Sequence, residues 1–369
     1  MSKQTPKKIL FILHFPPPVH GAAMVGKYIK DSAIINSSFN CNYINLSTST
    51  NVAEIGKNGW SKWKRFFEIL LEVFKAIKKN KPDLVYLTLT ASGLGFFKDA
   101  VVVFLVKTFD IKIVYHFHNK GVSKHQHKSI YNFFYKRVFK KAWVILLAPQ
   151  LYADFKKYVA TDKVIYCPNG IPEQPIANVT QKPLNVPPQI LFLSNLIESK
   201  GVYILLKACK ILKVKQLAFR CIFVGGDGDI SGEVFQNKVI ESNLEDNVFY
   251  LGKKFGSDKE QIYSEANIFT LPTYYYKECF PLVLLEAMQH GLPIVSTREG
   301  GIPTMIKEDE TGYLVDQNNA EELAEKLEHL ILNPELSTSM GAKGRERFQN
   351  KFTLKIFENK LIKTFEKII

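Results

Sequence analysis

The 369-residue chain is expected to fold as an α/β protein made of two Rossmann-like, doubly wound domains in tandem. Three observations predict this. Short apolar runs rich in Ile, Val, Leu and Phe alternate with amphipathic helical segments along most of the chain. A stretch with five prolines and no helical period, 171–188, interrupts that alternation once. The length exceeds what one hydrophobic core usually holds. The domains are drawn as 1–170, a linker 171–188, and 189–349, followed by a terminal segment 350–369.

In the first domain KKILFILHF (7–15) reads as a strand, and a PPPVHGAA loop leads to a helix from about Ala22. CNYINL (41–46) is a strand, 61–82 an amphipathic helix closed by proline, and DLVYLTLT (83–90) a buried strand. Segment 96–109 is helical, 111–118 a strand, 129–142 a helix, and 143–149 and 163–168 are strands. The second domain starts with QILFLSNL (189–196) and continues with a helix 201–213, a strand 219–226 and a helix 233–242. A strand 248–252, a helix 257–266 and a strand 268–272 come next. Then follow the helix LVLLEAMQH, the strands PIVST and YLV, and a helix 319–332. The terminal segment 350–369 has the period of one amphipathic helix.

Composition is that of an ordinary globular chain, 46% apolar and 23% charged. Five scattered cysteines have no paired spacing, which argues against a disulfide framework or a zinc site and suits a reducing cytoplasm. Lysines precede an apolar run at the start, but that run ends in prolines and reads as a first strand rather than a secretory leader. No run reaches membrane-spanning length. Charge is uneven. Residues 1–180 carry 26 basic against 10 acidic residues, net +16, and residues 181–369 carry 23 against 25, net −2. A basic first half suits an anionic surface such as phospholipid, a lipid-linked pyrophosphate or nucleic acid.

The most informative segment is KECFPLVLLEAMQHGLPIVST, 277–297. Pro281 fits the first turn of a helix and Gly291-Leu292-Pro293 ends it. Glu278 then stands in the loop at the helix start and Glu286 lies inside the helix. Unpaired N–H groups at a helix start suit phosphate, and a carboxylate further along suits the two hydroxyls of a ribose. The segment resembles the nucleotide-sugar signature of retaining GT-B glycosyltransferases, family 4. Pro281 stands where a glycine is commoner. The resemblance implies a GT-B fold, two Rossmann-like domains facing a central cleft, with the last helix crossing back to the first domain. It also implies donor contacts from Glu278, Cys279, Phe280, Pro281, Leu282 and Glu286.

FLSNLIESKGV (192–202) resembles the same family's diphosphate-binding element. Lys200 matches, at the opening of the next helix, whereas Ser194 and Asn195 replace a glycine and an arginine. Asn195 is expected to bond a donor oxygen. In the first domain Gly21, just before a helix, allows close approach of a ligand, and His20 either touches substrate or fixes its own loop. Strand alternation is taken to send His116 and His118 to opposite faces, and the resemblance favours His118 beside the donor sugar. Asp227 and Asp229 form D-x-D, read as turn chemistry rather than as metal ligands. The helix 59–79, with the basic-aromatic run 131–143, reads either as core-packed or as lying at a membrane interface.

The resulting expectation is a cytoplasmic, membrane-peripheral, retaining hexosyltransferase. It moves a sugar from a nucleotide-diphosphate sugar to a saccharide or polyprenyl-linked acceptor in envelope polysaccharide or lipopolysaccharide synthesis. Glu278 and His118 are the candidate catalytic residues. Neither metal nor other cofactor is expected, and nucleic acid is not an expected partner. The alternatives are a GT-B-fold nucleotide-sugar epimerase and a non-catalytic basic module binding membrane or nucleic acid.

Overall fold

The structure, a computed structural model, describes residues 6–17, 19–47, 60–175 and 187–369, with 61 and 62 described by their backbone alone. It divides into two compact units, one of residues up to Gly170 together with Leu354–Ile369, the other Ile171–Thr353. Much of the proline-rich segment, 176–186, lies outside the described residues.

The first unit runs β1 (Lys8–Leu13), α1 (Gly21–Asp31), α2 (Ala33–Ser38), β2 (Asn40–Asn45), α3 (Trp60–Asn80) and β3 (Leu84–Leu89). It continues with α4 (Gly93–Lys107), β4 (Lys112–Phe117), α5 (Val122–His125), α6 (Ser129–Phe139), β5 (Trp143–Leu146) and β6 (Val164–Tyr166). The described strands form one parallel sheet in the order β2-β1-β3-β4-β5-β6. Every residue of β3 is buried, as expected of a parallel strand with both faces covered. The strand order reverses between β1 and β3, and ligands of open parallel sheets bind beyond the strand ends at such a point.

The second unit runs β7 (Gln189–Leu193), α7 (Val202–Val214), β8 (Arg220–Val224), α8 (Gly232–Glu241), β9 (Val248–Tyr250), α9 (Gly256–Glu265) and β10 (Ile268–Leu271). Then come α10 (Leu282–Gln289), β11 (Ile294–Thr297), α11 (Ile302–Met305), β12 (Gly312–Val315), α12 (Ala320–Leu332) and α13 (Pro334–Lys351). Its sheet is also parallel, in the order β12-β11-β10-β7-β8-β9, and reverses between β7 and β10. The chain ends with α14 (Leu354–Ile368), which belongs to the first unit. Phe365 of α14 packs against Phe11, Phe39 and Tyr86, with ring centroids 5.5–5.8 Å apart.

Three expectations need correction. The stretch 333–350 carries no clear apolar period and predicts no element, yet α13 occupies most of it. Its Gly341 lets α10 and α13 pack backbone to backbone: a Cβ there would meet the Gly291 carbonyl oxygen at 1.9 Å. The segment 350–369 is not one helix. The chain breaks at Phe352 and Thr353, where Thr353 forms a parallel bridge with Ile171, and α14 starts only at Leu354. The strand expected at 189–196 ends at Leu193, with Leu196 making a separate bridge to Asp227.

Candidate donor site

In the second unit the two loops at the point of reversal lie side by side. After β7 the chain makes a short 3₁₀ turn, Glu198–Lys200, and α7 begins at Val202. Lys200 therefore closes the turn before the helix rather than opening the helix itself. Gly201 links the two with φ 90°, and a Cβ there would meet the Pro272 carbonyl oxygen at 2.3 Å. Only glycine satisfies both the backbone angle and the close approach. The loop after β10 is tied to this turn. Tyr274 N–H donates to the Ser199 carbonyl (2.8 Å) and the Thr273 hydroxyl to the same oxygen (3.3 Å).

These ties bring Lys200 and Glu278 together, 78 residues apart in sequence. The Lys200 ammonium donates to Glu278 Oε2 within an ion pair whose side chains are 16% and 10% exposed. It also stands 4.8 Å from the centre of the Tyr275 ring. The loop after β11 folds onto the same place. Gly301 N–H donates to the Cys279 carbonyl (2.7 Å), and a Cβ at Gly300 would meet the Glu278 carbonyl oxygen at 2.3 Å.

Pro281 is the N-cap of α10, one position earlier than the first helical residue. Cys279, Phe280 and Pro281 are buried, with Phe280 edge-on to Phe352 at 5.8 Å, while Leu282 is half-exposed. The side chains of the three buried residues are committed to packing. Glu286 points out of α10 and both its oxygens are held. Lys259 Nζ donates to Oε1 (2.6 Å), and the Tyr263 hydroxyl, from the same helix α9, donates to Oε2 (2.9 Å). Burial and then the Glu286 charge push the Tyr263 phenol well above its usual range, so it remains a donor.

Asn195 Oδ1 accepts from Gly226 N–H (3.2 Å), which fastens the loops after β7 and β8 to one another. The two aspartates of the D-x-D step also accept backbone N–H groups, Asp227 within its own loop and Asp229 across to the loop after β7. Asp227 accepts from Gly232 N–H (3.0 Å) and Asp229 from Glu198 N–H (2.8 Å). Among the described residues no group of three or more His, Cys, Asp and Glu is arranged to hold a metal ion. After β9 the methylene stem of Lys253 lies against Gly226.

In the first unit the loops at the point of reversal gather histidines. His14 follows β1, and His20 caps α1, its Nδ1 accepting from Ala23 N–H (3.3 Å). Their rings are 6.0 Å apart. Gly21 opens α1, and a Cβ there would meet nothing within 4 Å, so packing does not demand a glycine. His116 and His118 do not face opposite sides. Residues two apart on a strand share a face, and the two rings are 4.3 Å apart. Depth distinguishes them: His116 is fully buried and bonded through Nδ1 to the Tyr86 hydroxyl, whereas His118 lies half-buried just past the end of β4.

Burial lowers His14 to about 3, assisted by Lys98, His20 and His118, and burial followed by His20 lowers His118 to about 3. His116 is pushed well below the usual range for the same first reason. The cluster is neutral at pH 7 and offers imidazole nitrogens rather than cations.

Lys259, Tyr263 and Tyr275 in the second unit, and His14 and Lys98 in the first, carry no signal in sequence that sets them apart. The four-residue spacing of Lys259 and Tyr263 puts them on one face of α9. What that face meets emerges only once α9 and α10 are side by side.

Two parallel six-stranded sheets with helices, one in each unit, are the fold of GT-B glycosyltransferases. The sucrose-phosphate synthase of Thermosynechococcus elongatus superposes with a TM-score of 0.74 at 21% identity, over 98% of both chains. The Anabaena protein HepE, solved with UDP, superposes with a TM-score of 0.72 at 16% identity, over 98% of this chain and 100% of that one. Residues 177–347, which lie in the second unit, match the family described as Glycosyl transferases group 1. In sequence the chain is similar to the putative colanic acid biosynthesis glycosyltransferase of Salmonella typhimurium, 26% identical over 70% of this chain and 64% of that protein. It is also similar to the amylovoran biosynthesis glycosyltransferase of Erwinia amylovora, 29% identical over 59% of this chain and 55% of that protein. The chain thus spans less than two thirds of the length of these curated relatives.

Proposed function

We propose that the chain is a retaining, family 4 glycosyltransferase that moves a hexosyl group from a nucleotide-diphosphate sugar to a saccharide acceptor. The acceptor is carried on a polyprenyl lipid in envelope polysaccharide synthesis at the cytoplasmic face. The observation that carries this reading is the meeting of Lys200 and Glu278 at the strand-order reversal of the second sheet, beside the start of α10, with Glu286 further along that helix. Lys200 and the α10 N-terminus would neutralise the diphosphate, and Glu286, pre-oriented by Lys259 and Tyr263, would take the ribose hydroxyls. Glu278 would contact hydroxyls of the transferred sugar and His118, neutral, would lie against that sugar or the departing phosphate.

In the reaction the acceptor oxygen bonds to the anomeric carbon on the face from which the diphosphate departs. The bond from that carbon to the diphosphate breaks, and the acceptor proton passes to the leaving phosphate oxygen. Rate enhancement would come mainly from stabilising leaving-group charge, with neither a metal nor a carboxylate pair required. The names of the relatives support a polysaccharide product, and the UDP in HepE supports a nucleoside diphosphate in this fold.

The test is thermal unfolding of wild type and Glu286→Ala with UDP, GDP, ADP, CMP and dTDP. A ligand at about a hundred times its dissociation constant adds about 2.7 kcal/mol. One nucleotide should stabilise wild type and much less the variant. Release of nucleoside diphosphate only when acceptor is present then separates transfer from epimerisation. Stabilisation by no nucleotide would remove the donor-site reading.

A further inference from the structure

Helix α3 has two apolar stripes, and the sheet needs only one. Phe66, Ile69, Val73 and Ile77 are buried on the first unit's core. A second stripe, Trp60, Trp63, Phe67, Leu71 and Phe74, recurs every three or four residues along the outside. These five side chains are 42–94% exposed, so the row is open along a helix about 30 Å long. Isolated exposed apolar residues need no explanation, but a continuous row does. Helix α4, which packs beside α3, exposes Leu94 and Val101, and α6, which packs on α4, exposes Ile130 and Phe133.

The charge beside the stripe indicates what covers it. Glu68 and Glu72, the acids of α3, are both engaged by Arg65 (3.4 and 2.8 Å). Lys64 and Lys75 flank the stripe and have no ion-pair partner among the described residues. Lys78 sits within it, its ammonium 5.9 Å from the Phe74 ring and 5.5 Å from Phe109, as a snorkelling lysine does. On α6 the Arg137 guanidinium lies 3.4 Å over the Phe133 ring. A second copy of the chain packed on this row would bring the lysines of both copies together. An anionic lipid surface receives aromatic side chains at the headgroup boundary and favours each nearby lysine. No helix among the described residues is long and apolar enough to cross a membrane.

We infer that the outer face of α3, continued by α4 and α6, is a docking surface for an anionic phospholipid bilayer, with α3 lying in the plane of the interface. This stands on the surface alone and does not depend on the transfer reaction. Binding would keep the first unit beside any substrate carried in the membrane, and its strength would fall with salt.

Two of the three tryptophans, Trp60 and Trp63, belong to the stripe, so a Trp143→Phe background makes emission a probe of it. The full chain is mixed with phosphatidylcholine vesicles, with and without phosphatidylglycerol, and followed by flotation and emission wavelength. Wild type should float with the anionic vesicles and shift to shorter wavelength. Phe67→Ser with Leu71→Ser should lower partitioning at least about tenfold, because two apolar side chains no longer leave water. Lys64→Gln with Lys75→Gln should weaken binding to anionic vesicles and flatten its salt dependence. Phe67, Leu71, Lys64 and Lys75 are solvent-facing, and an unchanged unfolding temperature confirms the fold of each variant and of the Trp143→Phe background. The inference is overturned if the chain stays with the buffer, or if the serine pair binds undiminished. It also fails if emission shifts with protein concentration alone as a dimer forms.

Discussion

The Lys200–Glu278 pair allows a prediction in which the two partners behave oppositely. Replacing Lys200 by alanine leaves a carboxylate only 10% exposed without its cation. Breaking a buried pair from one side costs about 3–5 kcal/mol, and the residual exposure of this one argues for the lower end, about 3 kcal/mol. Glu278→Gln keeps shape and a hydrogen-bonding group, and leaves an ammonium that is 16% exposed and already close to the Tyr275 ring, so about 1 kcal/mol is expected. Ligand affinity should then diverge. A diphosphate must compete with Glu278 for Lys200 and approach a carboxylate of like charge. Glu278→Gln removes both obstacles and should tighten nucleoside diphosphate binding about fivefold, about 1 kcal/mol. Lys200→Ala should weaken it at least about tenfold. With the intact nucleotide sugar, Glu278→Gln should lose turnover, as the proposed contact of Glu278 with the transferred sugar requires. Titration calorimetry gives the affinities. All three tryptophans, Trp60, Trp63 and Trp143, lie in the first unit, so calorimetry or far-UV dichroism must follow unfolding of the second. Equal loss of nucleoside diphosphate binding in both variants would refute competition for Lys200.

Two further outcomes follow from the same geometry. Tyr263→Phe removes the hydroxyl of a fully buried residue that donates to Glu286 (2.9 Å) and lies 3.2 Å from the Val283 carbonyl oxygen. It should cost about 1 kcal/mol of stability and weaken nucleoside binding about threefold to tenfold while leaving diphosphate alone unaffected; urea unfolding and titration measure these, and loss confined to stability would show that Glu286 needs no orienting. The histidine cluster predicts an acid response. His14 and His118 are held to about 3 when folded but take up a proton near 6.5 when unfolded, so the unfolded chain binds more protons between those values. Their contribution is fully present above about 6.5 and is lost as pH falls towards about 3, at about 1.4 kcal/mol per pH unit for each proton. Asp99 and Glu358, raised by burial, act in the opposite sense. Tryptophan-detected unfolding across this range should steepen in wild type and flatten in a His14→Gln, His118→Gln variant; the same slope in both would refute the assignment.

The α/β class, the two-sheet architecture and nearly every strand were legible in the chain, because a parallel strand covered on both faces must be a continuous apolar run such as LVYLTL. Glu278 and Glu286 could be singled out because the helix start between them has a chemistry of its own, visible as Pro281 and the apolar period behind it, and Lys200 because its segment resembles a diphosphate-binding element. Helix α13 was not legible, since its packing rests on small residues and close backbone approach rather than on an apolar stripe. Nor was the histidine arrangement: residues two apart share a strand face, and only the position of His118 past the end of β4 separates it from His116. The partners of the acidic residues lay further out of reach. That Glu278 meets Lys200, and Glu286 meets Lys259 and Tyr263, follows from which strands are neighbours and which loops are tied together, and those contacts join residues 20 to 80 positions apart. Local sequence dictates the conformation of each element through propensity and periodicity. Which charges are buried together is decided by the order of strands in the sheet.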